Sequence, residues 1–385
     1  MPGEPVTLAR TDSTARAVSV STGEQLSTPA RVAELGEGIS EDELRLASRN
    51  HGMPLEAMRY DVTPPGLHYL LIHYDIPAVD PDAWRLRVGG LVEHPLVLDL
   101  DAIRARPRTT LRVTMECAGN GRARLVPRPI SQPWLVEAVG TAEWTGTSLA
   151  ALLRDATPTG SASEVIFTGS DHGIERGVEQ NYQRSLSLRD ANDDDVLLVY
   201  EMNGAPLPPQ HGFPLRLVVP GWYGMTQVKW LHEITVTDAP FTGYQQAAYR
   251  LRQDPDETGV PLTRMEPRAL LIPPGWPDFM SRARFLHPGP VELRGRAWSG
   301  HAPISTVDVS TDDGATWTAA DVEPAAGDWA WRGWKLSWHA QPGHHALCAR
   351  ATDEAGRSQP IEQPWNRGGF ANNLIQRVPV VVLDA

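Results

Sequence analysis

Cys117 stands in the run Met115-Glu116-Cys117-Ala118-Gly119-Asn120-Gly121-Arg122, a setting in which a thiol can ligate a metal or carry a redox reaction. The apolar, β-branched stretch Leu111 to Met115 predicts a strand that delivers the sulfur into a turn of Ala, Gly and Asn. Such residues accept positive φ and leave room for a bulky group beside the sulfur. Arg122, with Arg112 and Arg124 nearby, adds positive potential that favours thiolate over thiol. A lone cysteine is also commonly a small buried hydrophobe, so this run alone does not decide between ligand and core residue.

A second cluster follows Tyr200-Glu201-Met202-Asn203-Gly204. It comprises His211-Gly212-Phe213-Pro214-Leu215-Arg216 and Trp222-Tyr223-Gly224-Met225-Thr226-Gln227-Val228-Lys229-Trp230. His211, Arg216 and Lys229 gather here in a chain that is otherwise acidic, on loops pinned by Gly and Pro. Three donor or cationic side chains at the ends of rigid elements suit a phosphate or pterin. A solvated basic face is the alternative, and the embedded apolar run Leu217-Val218-Val219 argues against it.

The elements that must position these groups are mostly short. A helix is predicted at Glu41 to Arg49, with extended, Pro-punctuated chain from Thr63 to Asp80. A strand is expected at Trp84 to Val92 and a short helix at Leu100 to Ala105. Beyond the cysteine run come a strand at Val139 to Trp144, a helix at Ser148 to Asp155, and strands at Glu164 to Thr168 and Val196 to Met202. Pro214 to Val219 and Val228 to Val236 are read as a pair. Arg268 to Pro277 reads as a proline-rich linker. After it, Val291 to Trp298, Ile304 to Ser310, Trp331 to Trp338, His344 to Arg350 and Arg377 to Leu383 alternate in the manner of a β-sandwich. Many of the 13 tryptophans fall there, and Cys348 reads as an inert core residue. The fold class is α+β.

With 385 residues, two or three domains are expected: a lead-in over 1–60, a catalytic domain over 61–260 and a sandwich over 261–385. A net charge of −12 argues against a nucleic-acid partner. No apolar run approaches the roughly 20 residues of a membrane helix, so no membrane role is expected. Two cysteines cannot form a disulfide framework. Met1 to Ala30 shows neither an apolar signal core nor a twin arginine, and the expected location is cytoplasmic.

The MECAGNGR run resembles the cysteine motif of the sulfite oxidase family of molybdenum enzymes. EMNG, HGFPLR and VKWL resemble that family's cofactor core in the same order. The resemblance covers roughly residues 60 to 385 and is to the haem-free, bacterial type. It implies a molybdopterin-binding domain followed by an immunoglobulin-like sandwich that forms a homodimer. It implies that Cys117 ligates the metal and that His211, Arg216, Gln227, Val228 and Lys229 hold the molybdopterin. Asp171 would contact the pterin, and Tyr69, Leu70, Leu71, Ile72 and His73 would wrap it from the N-terminal side. By the same resemblance Tyr249 lies beside the metal, Arg122 lies near it, and Arg367 and His73 complete the catalytic set.

The implied activity is oxidation of sulfite to sulfate by oxygen-atom transfer, with electrons passed to an external acceptor such as a cytochrome. Two departures qualify it. An Arg-Asn-His run of sulfite-oxidising relatives reads Leu71-Ile72-His73 here, and Arg367 is shifted by one position against the family's Trp-Asn-Leu-Arg-Gly run. Losing one arginine from an anion site costs about 1.5–3 kcal/mol per charged hydrogen bond. An oxotransferase acting on S- or N-oxides with the same cofactor is therefore a second expectation. A β-rich binding protein with a merely packed Cys117 is the third.

Overall fold

The computed structural model describes residues 31–175 and 177–384; the reading of Met1 to Ala30 lies outside the described residues. The helix Glu41–Arg49 begins at Ser40, whose Oγ accepts from Glu43 N while the Glu43 carboxylate accepts from Ser40 N at 2.8 Å. The chain then runs without strands to Leu86, through a 3-10 helix at Leu55–Arg59 and several turns. Met53, Ala57 and Met58 are buried there beside Ala118, Leu270 and Trp298, so this part of the lead-in belongs to a shared core.

Two five-stranded sheets form the first half. One is ordered Leu96–Leu98, Leu86–Gly90, Leu231–Thr237, Glu164–Glu175, Val178–Ser187, with Leu86–Gly90 parallel to Leu231–Thr237. In the other, Thr109–Glu116 pairs with Val139–Ser148, which pairs with Leu197–Met202; Ala205–Pro206 and Arg216–Val218 both pair with Leu197–Met202. The expected pair of strands at 214–219 and 228–236 is thus divided between two sheets. Short links remain, from Leu217 N to Val228 O and from Leu231 N to Leu215 O, each 2.8 Å.

The second half is a sandwich of a four-stranded and a six-stranded sheet packed through Leu293, Val307, Trp334, Leu347 and Val380. Arg268–Leu271 is a strand of the smaller sheet, in register with Gly295 to Trp298 and buried at all four positions. The linker reading is corrected here: Pro273, Pro274 and Pro277 follow the strand and give the window its loop-like composition. His287 packs against Trp276 within the sandwich, the ring centroids 5.2 Å apart and the planes tilted by 56°. Among the described residues no helix is long and apolar enough to cross a membrane.

Candidate active site

Strand Thr109–Glu116 ends one residue before Cys117, whose N–H still reaches Ala138 O at 2.9 Å. The chain then turns back: Asn120 N donates to Cys117 O, and Gly121 takes φ +93°. Gly119 must lack a side chain, because a Cβ there would lie 2.6 Å from an Arg122 guanidinium nitrogen. The turn is held from the sandwich side. Asn372 donates to Gly121 O, Ala371 N to Ala118 O and Arg122 Nε to Gly368 O, at 2.7–2.8 Å.

Glu116, directly before the cysteine, is almost wholly buried and accepts from Asn120 Nδ2 and Trp298 Nε1, each at 2.9 Å. Its carboxylate also lies 2.8 Å from Arg268 Nε, both side chains being 2 % exposed. Breaking such a pair from one side leaves a buried charge uncompensated, at about 3–5 kcal/mol. The second domain therefore fixes where the thiol points.

The sulfur opens onto a cavity of about 650 Å³ including its mouth. Burial pushes the Cys117 thiol up, and Arg122 opposes this without reversing it. The expected help from the other two arginines is absent: Arg112 pairs with Glu143 at 2.8 Å, and Arg124 is exposed at the surface. Binding a metal here would release the thiol proton.

One wall of the cavity is basic and aromatic. Lys229 Nζ donates to Leu71 O at 2.8 Å and lies 4.4 Å from the Trp230 ring centroid. Arg216 donates to His211 O at 2.9 Å and sits 4.7 Å over Trp144. Burial lowers Arg216 to about 10, so it stays charged. Burial also lowers His68 to about 4 and His211 to about 2, so both rings are neutral near pH 7. Lys229 is lowered by burial and by Arg216, while burial raises Asp171 against the pull of Lys229.

Among the described residues, Asp171 Oδ1, His68 Nε2, Arg216 Nε and Thr226 Oγ1 are buried without a hydrogen-bond partner. Buried polar atoms normally have partners, so the three on cavity-lining residues, Asp171, His68 and Arg216, fit a polar ligand such as a pterin with its phosphate. Gly224 permits the close approach of Tyr69, whose hydroxyl would be 2.4 Å from a Cβ there.

Cys117, His73, Tyr182 and Tyr249 also line the cavity. Tyr249 hydroxyl and His73 Nε2 share a hydrogen bond of 2.9 Å. Burial, with Lys229 and Arg122 adding to it, pushes His73 down to about 3, so it serves as a hydrogen-bond partner and not as a cation. Burial also holds the Tyr249 phenol protonated; Cys117 and Glu175 act in the same direction, while Arg122 and Arg184 oppose.

Tyr69, Leu70, Leu71, His73, Cys117, Asp171, His211, Arg216, Gln227, Lys229 and Tyr249 all line the cavity. Four other positions differ. Arg122 stands behind the cysteine turn. Ile72 is buried behind the wall, its N–H donating to Asn50 Oδ1 at 2.7 Å. Val228 is a core residue whose N–H and C=O are both taken by Thr226 and Leu217. Arg367 is half-buried away from the cavity, its N–H donating to Arg252 O; the neighbouring Gly368 carbonyl makes the contact to Arg122. Gln227 lines the site, but both ends of its amide are engaged by Val219 and Trp222. Sequence reasoning missed His68, Tyr182 and Arg184. The alternation of Tyr182, Arg184 and Leu186 was the available signal for a strand at Val178–Ser187.

A thiol at the head of a polar, aromatic-walled cavity, beside a two-sheet sandwich, is the arrangement of a molybdopterin-dependent oxidoreductase. Residues 73–245 match the oxidoreductase molybdopterin binding domain, and residues 270–383 match the Mo-co oxidoreductase dimerisation domain, which supports a homodimer. Sulfite oxidase of Gallus gallus is 33% identical over 348 residues, covering 82% of this chain and 72% of that protein. The NADH nitrate reductase of Volvox carteri is 32% identical over 377 residues, covering 88% of this chain and 43% of that protein. Mitochondrial sulfite oxidase of Rattus norvegicus is 32% identical over 347 residues, covering 84% of this chain and 62% of its own length. The crystal structure of the sulfane dehydrogenase SoxCD from Paracoccus pantotrophus superposes with a TM-score of 0.76 at 25% identity, over 100% of this chain and 96% of that one. The chain belongs to the sulfite oxidase family of molybdenum oxidoreductases.

Proposed function

We propose that this enzyme oxidises sulfite to sulfate and passes the electrons to an external acceptor such as a cytochrome. The observation that carries the reading is that Cys117, Tyr249 and His73 line one cavity, with the buried Arg122 and Arg184 both acting on Tyr249. Sulfite gains one oxygen atom, ultimately from water, and two electrons and two protons leave. When bound, the molybdenum–molybdopterin group supplies the oxygen transfer and takes up the electron pair. Arg216 and Lys229, with the unsatisfied Asp171 Oδ1 and His68 Nε2, would hold the pterin and its phosphate. Cys117 would ligate the metal, with the Glu116 clamp fixing its direction. The protonated Tyr249 hydroxyl, oriented by His73, offers a donor to an oxyanion beside the sulfur. A reducing, cytoplasmic setting fits two cysteines that are both free.

Oxygen transfer in the reducing direction, from an N- or S-oxide, is the second reading. The similarity to nitrate reductases and the neutral state of His73 favour it. Steady-state assays of molybdenum-loaded enzyme separate the two. Sulfite-dependent ferricyanide or cytochrome reduction is expected; no such activity, with nitrate or a sulfoxide consumed under reduced viologen, would replace the first reading with the second.

A further inference from the structure

Two guanidiniums act on the Tyr249 phenol from different elements: Arg122 from the cysteine turn and Arg184 from strand Val178–Ser187. Both are more than nine-tenths buried. Among the described residues neither forms an ion pair with a carboxylate. Arg122 has the Cys117 thiol close enough to act on it. The contacts of Arg184 among the described residues are with neutral groups: Nη1 donates to Gln245 O at 2.7 Å, and Cζ lies 5.9 Å from the Tyr249 ring centroid. Its Nε has no partner among the described residues. Glu175 accepts instead from Gln245 Nε2 at 2.9 Å.

Burying a charge that is not fully paired is costly, and a methionine or leucine would fill the same volume without that cost. Arg184 follows Tyr182 on one face of its strand, two residues on. Tyr182 is part of the cavity wall, and its ring centroid lies 4.8 Å from that of His73. The guanidinium is therefore held one step behind the wall, two residues from Tyr182 and its neutral neighbour His73. In a chain of net charge −12, a fixed positive charge in a low-dielectric wall attracts an anion to that wall.

We propose that Arg184 is a specificity-determining residue that, together with Arg122, holds the negative charge of a dianionic oxyanion beside Tyr249. This rests on the sulfite reading above. Arg184 does not itself line the cavity, so it acts through its field and through Tyr249 and Gln245 as a positioning residue.

The test compares molybdenum-loaded wild type with Arg184→Gln, Arg184→Met and Arg184→Lys. It measures KM and kcat for sulfite and, separately, sulfate affinity by titration calorimetry. The neutral variants should raise KM and weaken sulfate affinity by about tenfold, the low end of what a focused field supplies, with kcat changed far less. Lys, which keeps the charge, should recover most of the loss. The Met variant, which keeps the apolar stem, stands in if Gln does not retain molybdenum. Wild type that oxidises sulfite and binds sulfate, with neutral variants unchanged in both, overturns the role of Arg184 and leaves the sulfite reading standing. A Lys variant as impaired as Gln also overturns it, by assigning Arg184 to packing. Wild type that neither oxidises sulfite nor binds sulfate overturns the sulfite reading and this inference together.

Discussion

Cys117 and Cys348 are both buried thiols, 7 % and 0 % exposed, yet their surroundings assign them opposite roles. Cys348 sits in the middle of strand Gly343–Asp353, paired across to Ser310 on one side and Arg377 on the other. Burial raises it to about 11; Leu347 and Ala349 on either side point into the sandwich core, while Cys348 alternates to the other face, where Arg377, Asp313 and Asp312 act on it. Cys117 stands one residue past the end of its strand, where the ladder stops and a cavity begins. Burial is common to both. The strand end, the open cavity and the surrounding arginines and tyrosines distinguish the proposed ligand from the inert thiol.

The largest break in that comparison comes from exchanging the two sulfurs for oxygen. Cys117→Ser should lower turnover of the molybdenum-loaded enzyme by more than about 100-fold, since even groups behind a metal ligand commonly carry 10–100-fold. Cys348→Ser should leave kcat nearly unchanged. Comparable losses in both variants would erase the distinction.

A second effect concerns the clamp under the cysteine. Arg268→Met leaves Glu116 buried without its cation and should destabilise the protein by about 3–5 kcal/mol in urea unfolding. Adding Glu116→Gln to that variant should recover a sizeable part, because the uncompensated charge is gone. Additive losses would mean that the pair does not act as a unit.

The pH dependence of stability sharpens the cavity side. His68, His73 and His211 titrate near 6.5 when unfolded and at about 4, 3 and 2 when folded. Below pH 6.5 the unfolded chain binds protons that the folded chain refuses. Their contribution is therefore complete above 6.5 and is lost as pH falls toward those lower values. Urea unfolding between pH 6.5 and 4.5 should weaken by up to roughly 1.4 kcal/mol per pH unit for each histidine. His73→Gln should remove one proton from that slope, and an unchanged slope would show that the ring is charged in the folded state.

The smallest effect is at the inert thiol. Cys348→Ala removes one buried sulfur from the sandwich and should cost about 1 kcal/mol, read as a small shift of the urea midpoint with activity retained.

The chemistry was legible wherever it lies in contiguous turns. The cysteine run and the His211–Lys229 region each carry their glycines, cations and strand ends within one short window, and local sequence reports all three. The clamp was not legible, because Glu116, Arg268, Trp298 and Asn372 meet only through strand order. Arg268 and Glu116 are 152 positions apart in sequence, and the prolines after Leu271 disguised the strand that joins them. Arg184 escaped for a related reason: Val178–Ser187 is mostly polar, so only its buried face marks it as a strand. Arg367 misled because a shift of one residue replaces a side chain with the Gly368 carbonyl at the contact with Arg122.

X-ray absorption at the molybdenum edge tests the central claim most directly, comparing loaded wild type with Cys117→Ser. If Cys117 is the protein's ligand, the variant's metal shell contains one sulfur fewer and one light atom more. An identical sulfur shell in the two proteins would place the metal elsewhere and contradict the account.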